Sequence, residues 1–221
     1  SMLLSNGVDL SVVLSNHNLE FIMYCESLIN VDWYAPTLSR ECRVSLSPVI
    51  NMVTSDKTKT LTSIKKIKSY LNMYIKLIKV IDYIHSDDSI SIFTHAPVDL
   101  QFVKKLAKDR GVEYHDSNIT ELAQTIDSIN TSIHTDLANF NMTQSTMYDG
   151  TTSTIHFLWN RYYSILQRDK VYNKYNISYI HGHDSAVEYL DGDNLITLDG
   201  ALGKYLGLES GKLRILLEFR R

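Results

Sequence analysis

The chain has 221 residues, 44% of them apolar, which is enough for one substantial globular core. A formal charge of −3 gives no clustered basic footprint and argues against a nucleic-acid partner, because binding at phosphates draws on grouped Lys and Arg. The two cysteines, Cys25 and Cys42, lack CxxC spacing; neither a disulfide framework nor a thiolate metal site is indicated, and a reducing, cytoplasmic setting is the simple reading.

No run approaches about 18 uninterrupted apolar residues, and the first residues lack the pattern of a secretory signal, so a soluble chain without a transmembrane segment is expected. Ser1-Met2 reads as a pair left by a cleaved tag, which puts the natural N-terminus upstream.

Residues 8 to 15 alternate as a strand, and Asn18 to Ile29 place Leu19, Ile22, Met23 and Leu28 on one helical face. Asn16 and His17 therefore stand where the chain leaves a sheet and enters a helix, although neither is a good strand former. Trp33 to Met52, with Pro36 and Pro48, reads as an irregular connection. From about Thr58 to His85, the apolar residues Leu61, Ile64, Ile67, Leu71, Tyr74, Ile75, Ile78 and Ile81 recur every three or four positions and predict one long amphipathic helix. Its lysines read as a solvated face rather than a membrane-surface stripe.

"SDDS" breaks that helix, and "SISIFTHAP" predicts a strand ending at His95 before Pro97. Val98 to Arg110 predicts a helix closed by Gly111, and "VEYH" a short strand. Asn118 to Phe140 predicts a surface helix through Leu122, Ile126, Ile129, Ile133 and Leu137. A polar loop from Asn141 to Thr154 and a short helix through "IHFLWNRYYSILQRD" follow. The last sixty or so residues switch to strand patterns, "NISYIHGHD", "NLITLDGAL" and "KLRILLEF", read as a β meander. The whole reads as one α/β domain over residues 1–221 with helical insertions at about 54–87 and 117–152.

Three strands thus end in ligand-type groups: Asn16 with His17, His95, and His183 in "HGHD". Ends of neighbouring strands lie side by side, and loops there assemble sites on this architecture. Neutral imidazole with amide or carboxylate oxygen suits manganese, iron or zinc rather than calcium. Taken singly, each histidine is more often structural than a ligand; the weight lies in their joint occurrence. His85, His115, His134 and His156 are read as structural, and His181 as orienting its loop.

The segments "VVLSNHN", "IFTHAP", "FLWNR", "ISYIHGHD" and "LITLDGALGK" together resemble, in order, the later motifs of the calcineurin-like metallophosphoesterases, nearest to the lambda-phage variant of the PPP protein phosphatases. Ser15-Asn16-His17-Asn18 stands where that family has Gly-Asn-His-Glu or Gly-Asn-His-Asp, and Leu198-Asp199-Gly200-Ala201 where it has Asp-Thr-Gly-Ala. The resemblance implies that Asn16, His95 and His183 bind a metal, that His17 is the catalytic proton donor and that Arg161 holds the phosphate. It also implies two mixed β-sheets packed as a sandwich flanked by helices. The complete protein would use two divalent ions, manganese first and iron or zinc as alternatives, to clamp phosphate oxygens and acidify a bridging water.

The family's earlier motifs, Asp-x-His and Gly-Asp-x-x-Asp-Arg, occur nowhere in the 221 residues. The chain is therefore expected to lack the N-terminal portion of the fold, to bind metal weakly or not at all, and to be a poor catalyst by itself. A second copy or a companion N-terminal fragment is expected to cover the sheet so exposed. The function implied is a phosphoprotein phosphatase, with effector delivery into a host cell as the setting. The alternatives are a nucleotide phosphohydrolase or phosphodiesterase, and a catalytically dead interaction module.

Overall fold

The computed structural model describes residues 10–29, 40, 43–44, 47, 61–138, 153–161, 171–172, 175–183 and 194–197. The expected "KLRILLEF" strand, the Asp199 motif, residues 139–152 and most of the 33–52 connection lie outside them. The class is mixed α/β, as expected.

Strand β1 (Val12–Val13) runs parallel to β2 (Ile78–Lys79), with Val12 opposite Ile78 and Val13 opposite Lys79. Bonds from Val12 N to Leu77 O (2.7 Å) and from Leu14 N to Lys79 O (2.8 Å) extend this ladder. Helix α1 (Asn16–Ile29) starts directly afterwards and buries Leu19, Ile22, Met23 and Cys25. Its start has a reciprocal cap: Asn18 N donates to Ser15 Oγ at 3.1 Å while Ser15 N donates to Asn18 Oδ1 at 3.0 Å. The pair satisfies amides that the first helical turn leaves open, with Asn in the place usually held by Glu.

Helix α2 (Leu61–Ile75) packs against α1 through an edge contact between Phe21 and Tyr74 and a 2.7 Å bond from Asn18 Nδ2 to the Tyr74 hydroxyl. The helix predicted to reach His85 ends here. β2 and then β3 (Asp82–His85) follow within a few residues. Ile78 and Ile81 match a helical period, but Val80 between them is buried as well, so the segment is covered on more sides than one helical stripe allows. Pairing decides the outcome, because β1 and a long helix further on provide the backbone partners that a continued helix would have found within itself.

The second sheet has five strands: β3, β4 (Ser89–Thr94), β5 (Val171–Tyr172), β6 (Tyr175–His181) and β7 (Leu195–Thr197). β3 and β4 form an antiparallel hairpin closed by Ser86 N to Ser89 O at 2.9 Å. β4 pairs parallel with β6, β5 pairs antiparallel with the start of β6, and β7 pairs parallel with its end. The expected meander is thus wrong for β6 and β7. A direct hairpin cannot join parallel strands, and the connection between residues 181 and 195 meets the dozen or so residues a crossover needs.

Helix α3 (Leu100–Asp109) is capped by Asp99, whose carboxylate accepts from Gln101 N and Phe102 N, and it ends at Gly111, in the left-handed region at φ +66°. "VEYH" is no strand: the Thr125 hydroxyl takes both backbone groups of His115, at 3.0 and 2.9 Å, leaving nothing there for a ladder. Thr125 belongs to α4 (Ile119–Ala138), a surface helix as expected: Leu122, Ile126, Ile129, Ile133 and Leu137 face the core, while Gln124, Asp127, Ser128 and Thr131 are exposed. Its buried Asn130 reaches Val80 N at 3.0 Å and Ile81 O at 2.7 Å, serving the backbone between β2 and β3. The period of α4 marked an apolar face; only packing shows that α2, α3, β2 and β3 cover it.

Helix α5 (Thr154–Trp159) is six residues long, shorter than predicted; Asn160 is already extended, at φ −61° and ψ 151°. Its entry is tied to the end of α3, where the Asp109 carboxylate accepts from Ser153 N at 2.9 Å and from the Ser153 hydroxyl. No helix among the described residues is long and apolar enough to cross a membrane.

Candidate active site

Parallel pairing of β4 with β6 brings their C-terminal ends together. Thr94 sits opposite His181, and Gly182 N donates to His95 O at 2.9 Å, carrying the register one step beyond the strands. His95 and His183 leave the sheet side by side, with ring centroids 4.6 Å apart. His183 is in the left-handed region at φ 62°, uncommon for a side chain with a Cβ. Two contacts accompany this conformation: a guanidinium N–H of Arg161 donates to the His183 carbonyl, and the Trp159 ring meets the His183 ring edge-on at 5.7 Å.

Asn16 enters from the other sheet. It opens α1 at the C-terminal end of β1, is 4% exposed, and accepts a 3.0 Å hydrogen bond at Oδ1 from His95 Nε2. An amide oxygen can only accept, so His95 carries its proton on Nε2. Burial, followed by the fields of His183, His17, Arg161 and His181, pushes the His95 pKa down to about 3. The ring is thus neutral through the ordinary pH range, the state in which imidazole ligates metals. The same fields put His17, Arg161 and His181 within electrostatic reach of His95.

The sequence-predicted groups therefore converge: Asn16, His95 and His183 are neighbours, Arg161 touches His183, and His17 lies one residue from Asn16 on the same helical turn. His181, 2% exposed, contacts the Gly182 carbonyl through Nδ1 at 2.9 Å, in keeping with an orienting role. The other four histidines make local contacts: His85 stacks near Tyr83, His115 approaches Glu113 at 3.3 Å, His134 reaches the Ile78 carbonyl, and His156 packs on Phe102.

Sequence reasoning missed two members of the site. Trp159, given no role from the sequence, is 39% exposed beside His183. Asn160 was passed over, yet its buried side chain donates to Pro97 O at 2.8 Å. Both lie in the "WNR" triplet, which was the available signal. Ser15 and Asn18, seen in the sequence only as departures from a family motif, are the helix cap that presents Asn16 and His17.

Two imidazoles and an amide oxygen at one strand edge form a donor set that suits a first-row divalent cation. Among the described residues, no three or more His, Cys, Asp and Glu side chains are grouped to hold one, so the amide of Asn16 is indispensable to such a set and the charge of a cation would go unbalanced.

Comparison with known proteins identifies a family and a fold. A structure of the phosphatase domain from the Legionella effector WipB matches with a TM-score of 0.64 at 23% identity, over 82% of this chain. At that identity the likeness speaks for the fold alone, and the chain spans 63% of that structure's length. No curated protein matches the sequence. The family model described as the WipA-like phosphatase domain matches residues 1–204, almost the whole chain. The chain therefore belongs to the WipA-like phosphatase domain family.

Proposed function

We propose that this domain hydrolyses phosphate monoesters on phosphoproteins in the manner of calcineurin-like phosphatases. Asn16, His95 and His183 act as metal ligands, Arg161 as the phosphate clamp and His17 as the proton donor. The observation that carries this reading is the meeting of Asn16 Oδ1, the rings of His95 and His183 and the Arg161 guanidinium at one strand edge, from four separate stretches of chain. A divalent cation, manganese by preference, would neutralise phosphate charge and acidify a water.

The chain's own groups divide the remaining work. Arg161 has five N–H donors in a planar fork; one engages the His183 carbonyl, and the others are left to take two phosphate oxygens. His17, at the open first turn of α1, would protonate the departing alkoxide, a step typically worth about 10² to 10⁴ in rate. To ligate through Nε2, the neutral His95 ring would carry its proton on Nδ1 instead, and its bond to Asn16 would be given up. Three neutral ligands without a bridging carboxylate would hold a metal weakly. Family membership and the likeness to a bacterial effector domain support delivery into a host cell as the setting.

The test is phosphate release from phosphopeptides and from an activated aryl phosphate, with added manganese. His17→Asn is expected to slow the peptide reaction by about 10² or more and the aryl reaction far less, because a good leaving group needs no proton. Arg161→Ala is expected to raise KM about tenfold or more. Equal turnover in wild type and both variants rejects the roles assigned.

A further inference from the structure

We infer that Asn160 is the positioning residue that aims Arg161 into the site; the inference rests on the reading of Arg161 as the phosphate clamp. Arg161 is an exposed side chain one residue beyond Asn160, where the six-residue helix α5 has already given way to extended backbone. So short a helix holds its own end poorly, and Arg161 is placed by what ties that end down.

The ties are specific. Asn160 N closes the last turn onto His156 O at 3.1 Å, and Ala96 N donates to Phe157 O at 3.1 Å. The Asn160 side chain, 8% exposed, donates through Nδ2 to Pro97 O at 2.8 Å. Ala96 and Pro97 directly follow His95, whose carbonyl in turn holds Gly182 N. The end of α5, the exit of β4 and the exit of β6 are thus joined backbone to backbone around His95 and His183. Among the described residues, two side chains add to these backbone links: Arg161 itself, through the His183 carbonyl, and Asn160, whose amide fixes the backbone from which Arg161 projects and is the one that residue choice controls without altering the guanidinium. Asp at 160 would set a carboxylate oxygen against the Pro97 carbonyl, and Ala would leave that buried carbonyl without its donor.

Binding of inorganic phosphate to the full chain, followed by tryptophan fluorescence since Trp159 adjoins the site, tests the inference in wild type, Asn160→Ala, Asn160→Asp, Arg161→Ala and the Asn160→Ala/Arg161→Ala double variant. The expected result is about tenfold weaker phosphate binding in each Asn160 variant, and no further loss when Asn160→Ala is added to Arg161→Ala, because contacts acting through one group do not add. An Asn160 variant that binds as wild type, or an equal additional loss in the double variant, overturns the positioning role while leaving Arg161's own role standing. Unchanged binding in Arg161→Ala instead overturns the phosphate-clamp reading and this inference with it. Should the Asn160 variants fail to fold, wild-type NMR decides: the Asn160 side-chain amide signals are expected to shift as phosphate is added, and signals that stay put overturn the proposal.

Discussion

Asn16 Oδ1 and His95 Nε2 lie 79 residues apart in the chain and 3.0 Å apart in space. This bond joins the two sheets at their C-terminal edges: Asn16 follows β1 of the two-stranded sheet, and His95 follows β4 of the five-stranded one. It also records the protonation state of the site, with a neutral imidazole whose proton faces an amide oxygen.

Replacing that amide by a carboxylate reverses the electrostatics. In Asn16→Asp, the negative charge beside His95 favours the imidazolium, so its pKa rises from about 3 toward the ordinary histidine range. An NMR titration of the His95 ring is expected to show no inflection above pH 5 in wild type and a clear upward displacement in the variant. Identical curves would mean that the two groups do not interact in solution.

The same depression makes stability depend on pH. The unfolded chain takes up a proton at His95 near pH 6.5, whereas the folded chain refuses it until about pH 3. The contribution is intact above about pH 6.5 and is lost progressively as the pH falls through the window down to about 3. Urea midpoints of the metal-free protein at pH 7 and pH 5 should differ more in wild type than in His95→Gln, which has no proton to gain.

The cap on α1 is expected to be worth about 1 kcal/mol at each half. Ser15→Ala removes the acceptor of Asn18 N. Asn18→Ala also loses the bond to the Tyr74 hydroxyl, and with it a link between α1 and α2, so it should be the more destabilising of the two. Urea denaturation of both single variants measures this order; a more stable Asn18→Ala would contradict it.

Asn130 should be among the least replaceable polar residues of the core. Its side chain satisfies Val80 N and Ile81 O at once in a fully packed environment. Asn130→Leu leaves both buried backbone groups unpaired, and a loss of about 2–4 kcal/mol is expected at the urea midpoint. A loss under about 1 kcal/mol would show that water replaces the amide there.

His183 offers a comparison in which stability and function separate. Its φ of 62° suits glycine, so His183→Gly should be more stable than His183→Ala by about 1 kcal/mol, although both variants lack the imidazole. Thermal unfolding of the pair, with phosphopeptide turnover alongside, checks both statements. Equal stability would indicate that the loop relaxes out of the left-handed region once the ring is gone.

Much of the site could be read from residue types in order. A strand ending in Asn16 and His17, a strand ending at His95 and a strand ending in "HGHD" carry their own notice, since amides and imidazoles at the close of β-branched runs serve the strand poorly. The same local logic located α1, α3 and α4, whose apolar spacing and polar caps act within a few residues of one another.

What local pattern could not decide was anything requiring a partner distant in sequence. Residues 78–85 continue a helical period but form β2 and β3 instead, because β1 and β4 pair with them and Asn130 serves the backbone of Val80 and Ile81 between the two strands. The stripe of helix α4 shows which face is apolar, but not that α2, α3, β2 and β3 are the elements that cover it. Parallel pairing of β4, β6 and β7, which sets His95 beside His183, leaves no mark in the spacing of any one strand. Short-range propensities and capping bonds act over one helical turn or strand, and a linear chain displays them directly; burial, register and the meeting of Arg161 with His183 arise only when segments tens of residues apart exclude water between them.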